Sequence, residues 1–366
     1  MKTSNQTKIR MPAEWETHDS TWFTWPHNEE TFPEHLFAAQ KTIAKCIREI
    51  VKPRNQLVQE RADVIVRNAE EATKAKSILE FFGTDLTQVK FHCIPNNDVW
   101  IRDYGPIFVS CETQDNTSAL AGICFQFDAW GGKSEDYYGA TAKLDDQIGL
   151  AICNALGVRS ISVNAVLEGG AIETNGQGTC ITTRNCLIQR DNKTDEAEWE
   201  RIFFESLGID QVLWLDGVQF DGDDTEGHID NLTRFVGPTE VLTLVSENAN
   251  DPWYDALQRN LNQLREFRTK EGFPLEITQM LMPSPLYMTA IMDGQRGRRR
   301  YPASYANYII GNGVVLVPTF ADKNDLQALD TIAACFPERD VIGIDCSEYI
   351  LGQGALHCST QQQPAL

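Results

Sequence analysis

Five short polar clusters hold the side chains able to do covalent chemistry. They are Trp100-Ile-Arg-Asp103, Leu167-Glu168-Gly-Gly170, Gly227-His228-Ile-Asp230-Asn231, Ser304-Tyr-Ala-Asn307 and, near the end, Gly352-Gln353-Gly354-Ala-Leu-His357-Cys358. They supply a thiol, two imidazoles and three carboxylates. A sulfur nucleophile, an acid/base and several anions suit a small, planar, cationic carbon centre, and the amidino carbon of a guanidinium is the obvious candidate. Cys358 is the candidate nucleophile, which acts as the thiolate. His228 is preferred as acid/base, and Glu168, before two glycines, is placed to orient it. His228 and Asp230 are two apart, which on a strand puts both on one face. Asp103 and Asp230 would clasp the guanidinium through paired contacts, with Trp100 stacked on the flat cation. His357 adjoins Cys358 and in extended chain points away from it, so it reads as structural.

Other chemistries find less support. No ligand pair has zinc spacing, and no phosphate or dinucleotide loop is present, so neither a metal nor a cofactor is expected. The ten cysteines form no C-x-x-C pair; nine of them read as buried small hydrophobes in a reducing compartment. The net charge of −20 disfavours nucleic acid as a partner and favours a cationic ligand. No apolar run approaches a membrane span, and Met1-Lys-Thr-Ser-Asn-Gln opens no secretory signal, so a cytoplasmic location is expected. The basic run Arg296-Gly-Arg-Arg-Arg300 reads as a loop or subunit contact, in a homodimer or higher homo-oligomer.

Something must carry these clusters to one place. The first four each open an apolar, turn-punctuated stretch that reads as a β-hairpin, with Asn175-Gly176, Gly237-Pro238 and Gly311-Asn-Gly313 as turns. Between them lie segments with helical periodicity: Glu34 to Ile50, Asp136 to Leu156, Asp195 to Leu207, Asp251 to Glu271 and Asp322 to Phe336. The hairpin-plus-helix unit returns roughly every 60–80 residues, and 366 residues leave room for about five units. A radial α/β architecture delivering each cluster to a shared centre is the expectation, within a single catalytic domain spanning 1–366.

Taken as an ordered set with Met11-Pro-Ala-Glu-Trp-Glu16 and His357-Cys-Ser-Thr-Gln-Gln362, these motifs resemble the agmatine deiminase family, related to bacterial-type peptidylarginine deiminases. The resemblance runs from about residue 10 to the C-terminus. It implies the pentein fold, a five-bladed pseudo-symmetric α/β propeller. It also implies that Cys358 is the nucleophile, His228 the acid/base, Glu168 its partner, and Asp103 and Asp230 the guanidinium ligands beside Trp100. The implied reaction is hydrolysis of agmatine to N-carbamoylputrescine and ammonia through a cysteine-bound thiouronium, a step of putrescine biosynthesis. Gln353 departs from a motif that elsewhere carries more glycine. Rival readings are deimination of free or C-terminal peptidyl arginine, cysteine hydrolysis of amides, and non-catalytic binding of a guanidine or polyamine. The second needs an oxyanion hole where this chain places carboxylates. Cys358 and His228 count against the third. Within Phe125-Gln-Phe-Asp-Ala-Trp-Gly-Gly132 there is no arginine to fork a substrate carboxylate, and Asp128 sits there instead, which favours agmatine over arginine.

Overall fold

A computed structural model describes residues 8–54, 58–112, 115, 117–132, 142–189, 194–220, 222–292 and 295–366. Among them, five sheets share one wiring: an antiparallel pair, then a helical crossover to a parallel strand. In the first, Ile107–Glu112 pairs antiparallel with Ser118–Gln126, which runs parallel to Arg159–Val166. The second joins Ile172–Thr174, Thr179–Thr183 and Gln211–Leu215 in the same way. The third joins Thr233–Phe235, Glu240–Val245 and Glu276–Leu281, and the fourth Ile309–Ile310, Val314–Thr319 and Asp340–Asp345. The fifth is assembled from both ends of the chain. Thr360–Pro364 pairs antiparallel with His18–Thr24, which runs parallel to Arg61–Val66. A separate hairpin joins Tyr287–Met292 to Gln295–Arg300.

The crossovers are helices Leu36–Val51, Ile148–Leu156, Glu196–Leu207, Tyr254–Glu266 and Asp325–Cys335. Leu36–Val51 buries Ala39, Ile43, Ile47, Ile50 and Val51, the three-and-four spacing of an amphipathic helix. Middle strands such as Glu240–Val245 and Val314–Thr319 are buried along nearly their whole length, as strands covered on both faces must be.

Several boundaries depart from expectation for local reasons. The first helix starts at Leu36 and not Glu34, because Glu34 holds a left-handed φ of 64°. Asp195 caps its helix by accepting a hydrogen bond from the Glu198 amide. The helices expected from Asp251 and Asp322 begin three residues later; both carboxylates instead receive loop amides, from Trp253 and Asn324. That first helix stops at Glu266, ahead of an Arg268–Pro274 bridge. The stretch from Asp136 to residue 141 lies outside the described residues. The Arg296–Arg300 run is a hairpin strand, not a loop: a stretch of four arginines and one glycine, without apolar alternation, hid a ladder paired to Tyr287–Met292.

Candidate active site

Each polar cluster forms a tight turn just before the first strand of a sheet. Asp103 lies in the helical turn Ile101–Tyr104, Glu168 leads into Gly169–Ala171, His228 leads into Ile229–Asn231, and Cys358 centres His357–Ser359. His228 and Asp230 therefore do not share a strand face, as the i, i+2 spacing suggested. A single 3₁₀ turn separates them, and its curvature lets both side chains converge. Five repetitions of one wiring bring these turns together, and pairing of Thr360–Pro364 with the N-terminal strand fixes Cys358 among them.

The functional side chains close tightly around one glycine. A methyl group on Gly170 would lie 2.5 Å from His228 Nδ1, 2.9 Å from Asp103 Oδ1 and 3.1 Å from Asp230 Oδ2. Cys358 Sγ is 3.7 Å from the same Asp230 oxygen. The sequence-predicted Cys358, His228, Asp103 and Asp230 thus meet around one glycine. Glu168 stands behind His228, with Oε2 3.4 Å from Nε2. His228 Nδ1 and Asp230 Oδ1 are buried without a hydrogen-bond partner among the described residues. Buried polar atoms of this kind are costly unless a ligand pairs them.

Different groups hold the two guanidinium candidates. Asp103 accepts hydrogen bonds from the Gly170 amide (3.1 Å) and the Trp130 indole (2.9 Å). Trp130 reaches it because Ala129 and Trp130 both adopt positive φ, 58° and 56°, a strained conformation for residues with side chains. Asp128 supports this turn by accepting from the Gly131 amide. Asp230 is held by His357, whose Nδ1 lies 2.8 Å away and whose Nε2 lies 2.8 Å from Glu14. Behind Glu14, the buried Arg234 donates to Glu14 (2.6 Å), Glu173 (2.8 Å) and the Ala306 and Tyr308 carbonyls.

Ionisation follows these partners. Burial, with Glu168 and Asp230 nearby, raises Asp103 to about 6 despite the opposing His228. Burial would also raise Asp230, but the His357 hydrogen bond and charge, with His228 and Arg234, hold it below the usual range. His228 is raised well above a free histidine: burial opposes this, but Asp103, the Cys186 thiol and Glu168 outweigh it. Cys358 is pushed well above a free thiol by burial, then by Asp230 and Asp103, so it rests protonated.

Residues not singled out from sequence complete the site. Asn307 Nδ2 lies 3.1 Å from Cys358 Sγ, while its Oδ1 accepts from the amides of His357 (2.9 Å) and Cys358 (3.3 Å). Its place at the end of the fourth polar cluster was the available signal. Gly170 and Glu14 likewise stand in motifs quoted above, and Trp130 in the Phe125–Gly132 segment read only for its lack of arginine; nothing in the sequence marked the contacts they make. Trp100 is buried under the loop that carries Cys358: a methyl on Gly354 would come 2.3 Å from its ring, and one on Gly352 3.0 Å. Those glycines let the backbone lie against the indole. Gln353 keeps the left-handed φ, 73°, that glycine favours, and its side chain accepts from Arg299. Arg299 also donates to the Gly222 carbonyl and Asp224, and Arg300 is bound bidentately by Asp251 over the Trp253 ring.

Comparison with known proteins agrees in extent. The family model for Porphyromonas-type peptidyl-arginine deiminase matches residues 10–364. Agmatine deiminase of Stutzerimonas stutzeri is 33% identical, covering 99% of this chain and 97% of that one. A structure of Enterococcus faecalis agmatine deiminase, catalysing its reaction, superposes with a TM-score of 0.85 at 27% identity, covering 99% of this chain and 98% of that one. A C. jejuni agmatine deiminase with substrate bound gives a TM-score of 0.81 at 26% identity, with coverage of 99% and 98%.

Proposed function

The chain belongs to the Porphyromonas-type peptidyl-arginine deiminase family, and from that premise we propose that it hydrolyses agmatine to N-carbamoylputrescine and ammonia. The observation that carries this is the clustering of Cys358 Sγ, His228 Nδ1, Asp103 and Asp230 around Gly170. A guanidinium bound against this cluster meets two carboxylates and a sulfur, and pairs the open atoms of Asp230 and His228.

Burial, then the charges of Asp230 and Asp103, keep Cys358 protonated, and a guanidinium neutralises those charges. Substrate entry therefore favours passage of the thiol proton to solvent, and the thiolate is directed at the amidino carbon. Sulfur forms a bond to that carbon. His228, raised by Asp103, Cys186 and Glu168 despite burial, protonates the departing nitrogen, and ammonia leaves behind a cysteine-bound thiouronium. His228 then takes a proton from water, the resulting oxygen adds to the same carbon, and the carbon–sulfur bond breaks. Asp103 and Asp230 hold the carbon in line throughout, where positioning and electrostatics do most of the work. Asn307 steadies sulfur and its own amide. No step needs a cofactor.

The five equivalent sheets support reading the whole chain as one catalytic domain with the five-bladed arrangement of the penteins. Ten cysteines without a disulfide suit the reducing cytoplasm. Among the described residues, no helix is long and apolar enough to cross a membrane.

Deimination of arginine is the second reading, favoured by the approach of Arg299 to the nucleophile loop at Gln353. Against it, Arg299 and Arg300 are already engaged by protein acceptors, so the fork that a substrate carboxylate needs is spent. Measuring kcat/KM for ammonia release from agmatine and from free arginine at equal pH and salt decides between them. Agmatine is expected to be strongly preferred; a ratio near one, or in favour of arginine, reverses the assignment.

A further inference from the structure

Cys186 makes and breaks no bond in this reaction, yet its thiol lies against the acid/base and helps to raise it. One donor atom each from Glu168, Cys186 and His228 falls within 4.8 Å of the others, and all three residues are buried. We propose that these three form a binding site for a soft divalent cation, zinc(II) foremost, and that filling it switches the enzyme off. The inhibition rests on the reaction proposed above; the binding does not.

Geometry is the first support. His228 Nε2 and Glu168 Oε2 are 3.4 Å apart, long for a charge-assisted hydrogen bond. It matches the edge of a tetrahedron about zinc, about 3.3 Å for metal–nitrogen and metal–oxygen bonds of roughly 2.0–2.1 Å. Donor chemistry is the second. Thiolate, imidazole and carboxylate together select zinc over magnesium or calcium, which prefer all-oxygen shells. The third is that the protein fixes Cys186 to the loop of His228. Thr183 Oγ1 donates to the Gly227 carbonyl (2.8 Å) and accepts from the Cys186 amide (3.4 Å). The hydroxyl thus ties the turn Asn185–Gln189 to the residue before His228. The ligands come from three distant segments, which is why no motif spacing reveals them.

On binding, the six-coordinate hydrated cation releases five waters as Cys186 Sγ, His228 Nε2 and a Glu168 oxygen take its coordination positions, and one water stays in the fourth position of the tetrahedron. The thiol and Nε2 protons pass to solvent, and no electrons move. His228 then holds at most the Nδ1 proton and cannot shuttle between acid and base, while Glu168 no longer orients it.

The test begins with cobalt(II) added to the Cys358→Ser protein, in which the nucleophile cannot be the sulfur ligand. A thiolate-to-cobalt charge-transfer band at one equivalent is expected, and its loss in the Cys358→Ser/Cys186→Ala double variant. No band in the first protein, or a band that survives in the second, overturns the site. With Cys358 intact, the zinc concentration that halves each protein's own metal-free rate should rise at least about tenfold in Cys186→Ala, since even an outer-shell partner costs roughly 10–100-fold. An unchanged value overturns the inhibition. Should the Cys186 variants not fold, zinc-edge anomalous scattering from crystals of Cys358→Ser serves instead: density between the three residues supports the site, and density elsewhere or none rejects it. Cobalt binding needs no turnover, so a wrong substrate assignment leaves that measurement intact.

Discussion

Asp103 and Asp230 face the same space, both fully buried, yet their carboxyls are displaced in opposite directions. Asp103 is backed by neutral donors, the Gly170 amide and the Trp130 indole, with Glu168 nearby. Asp230 is backed by a chain of charge running through His357 and Glu14 to Arg234. Burial is the same on both sides, so it cannot be what separates them. What stands behind each carboxylate decides. Asp230 is a permanent anion beside the sulfur, and Asp103 is an anion conditional on pH and on a cationic neighbour.

The largest expected effect lies on the Asp230 side. Cys358→Ser should abolish turnover without unfolding the protein, since a hydroxyl is a far poorer nucleophile. A haloacetamidine should label Cys358 ahead of the other nine cysteines, as seen by peptide mapping; label elsewhere removes Cys358 from its role. Asp230→Asn should lower kcat by on the order of a hundredfold or more, because it misplaces the carbon as well as weakening binding. Near-normal turnover would show that the permanent anion is dispensable. Arg234→Met tests what stands behind it: the variant strands Glu14 and Glu173 in the interior and should cost about 3–5 kcal/mol, measured by urea unfolding. A loss under about 1 kcal/mol would mean the network is not what charges Asp230.

Asp103 should show itself through pH. Its carboxyl is raised to about 6, so the useful anion is present above that value and lost as pH falls through it. Wild-type kcat/KM should drop below about pH 6, approaching tenfold per unit. Asp103→Asn should lose on the order of a hundredfold at neutral pH but lack that acid limb. A variant that kept the limb would move its origin to another group. Glu168→Gln should have the smallest effect. It removes one of the influences that raise His228, so the alkaline limb of the rate should shift to lower pH; an unmoved limb makes Glu168 purely structural.

The same contrast explains what the sequence could and could not show. Asp103, Glu168, His228 and Cys358 stand in compact clusters beside glycines, and hairpin turns such as Asn175-Gly176 announce the strands that present them. The repeat was legible because each unit has its own turn chemistry and its own helix. The fifth sheet was not, since its strands come from opposite ends of the chain. Nor was the 3₁₀ turn between His228 and Asp230, which has the spacing of a strand. His357 was read as structural by an extended-chain argument; the structure gives it a contact with Asp230 that no local pattern encodes. Trp130 reaches Asp103 only through a strained left-handed turn, and Cys186 read like eight other cysteines taken for buried thiols, of which the structure exposes Cys93 and half-buries Cys335. Three-dimensional neighbours with no sequence proximity are what a single chain conceals.

One measurement tests the central claim most directly: rapid acid quench of the protein turning over agmatine, followed by intact-mass analysis and peptide mapping. The account predicts a transient adduct with the mass of agmatine less ammonia, on the peptide bearing Cys358 and absent from Cys358→Ser. Ammonia release with no adduct at any time, or an adduct on Cys186 or another cysteine, would contradict it.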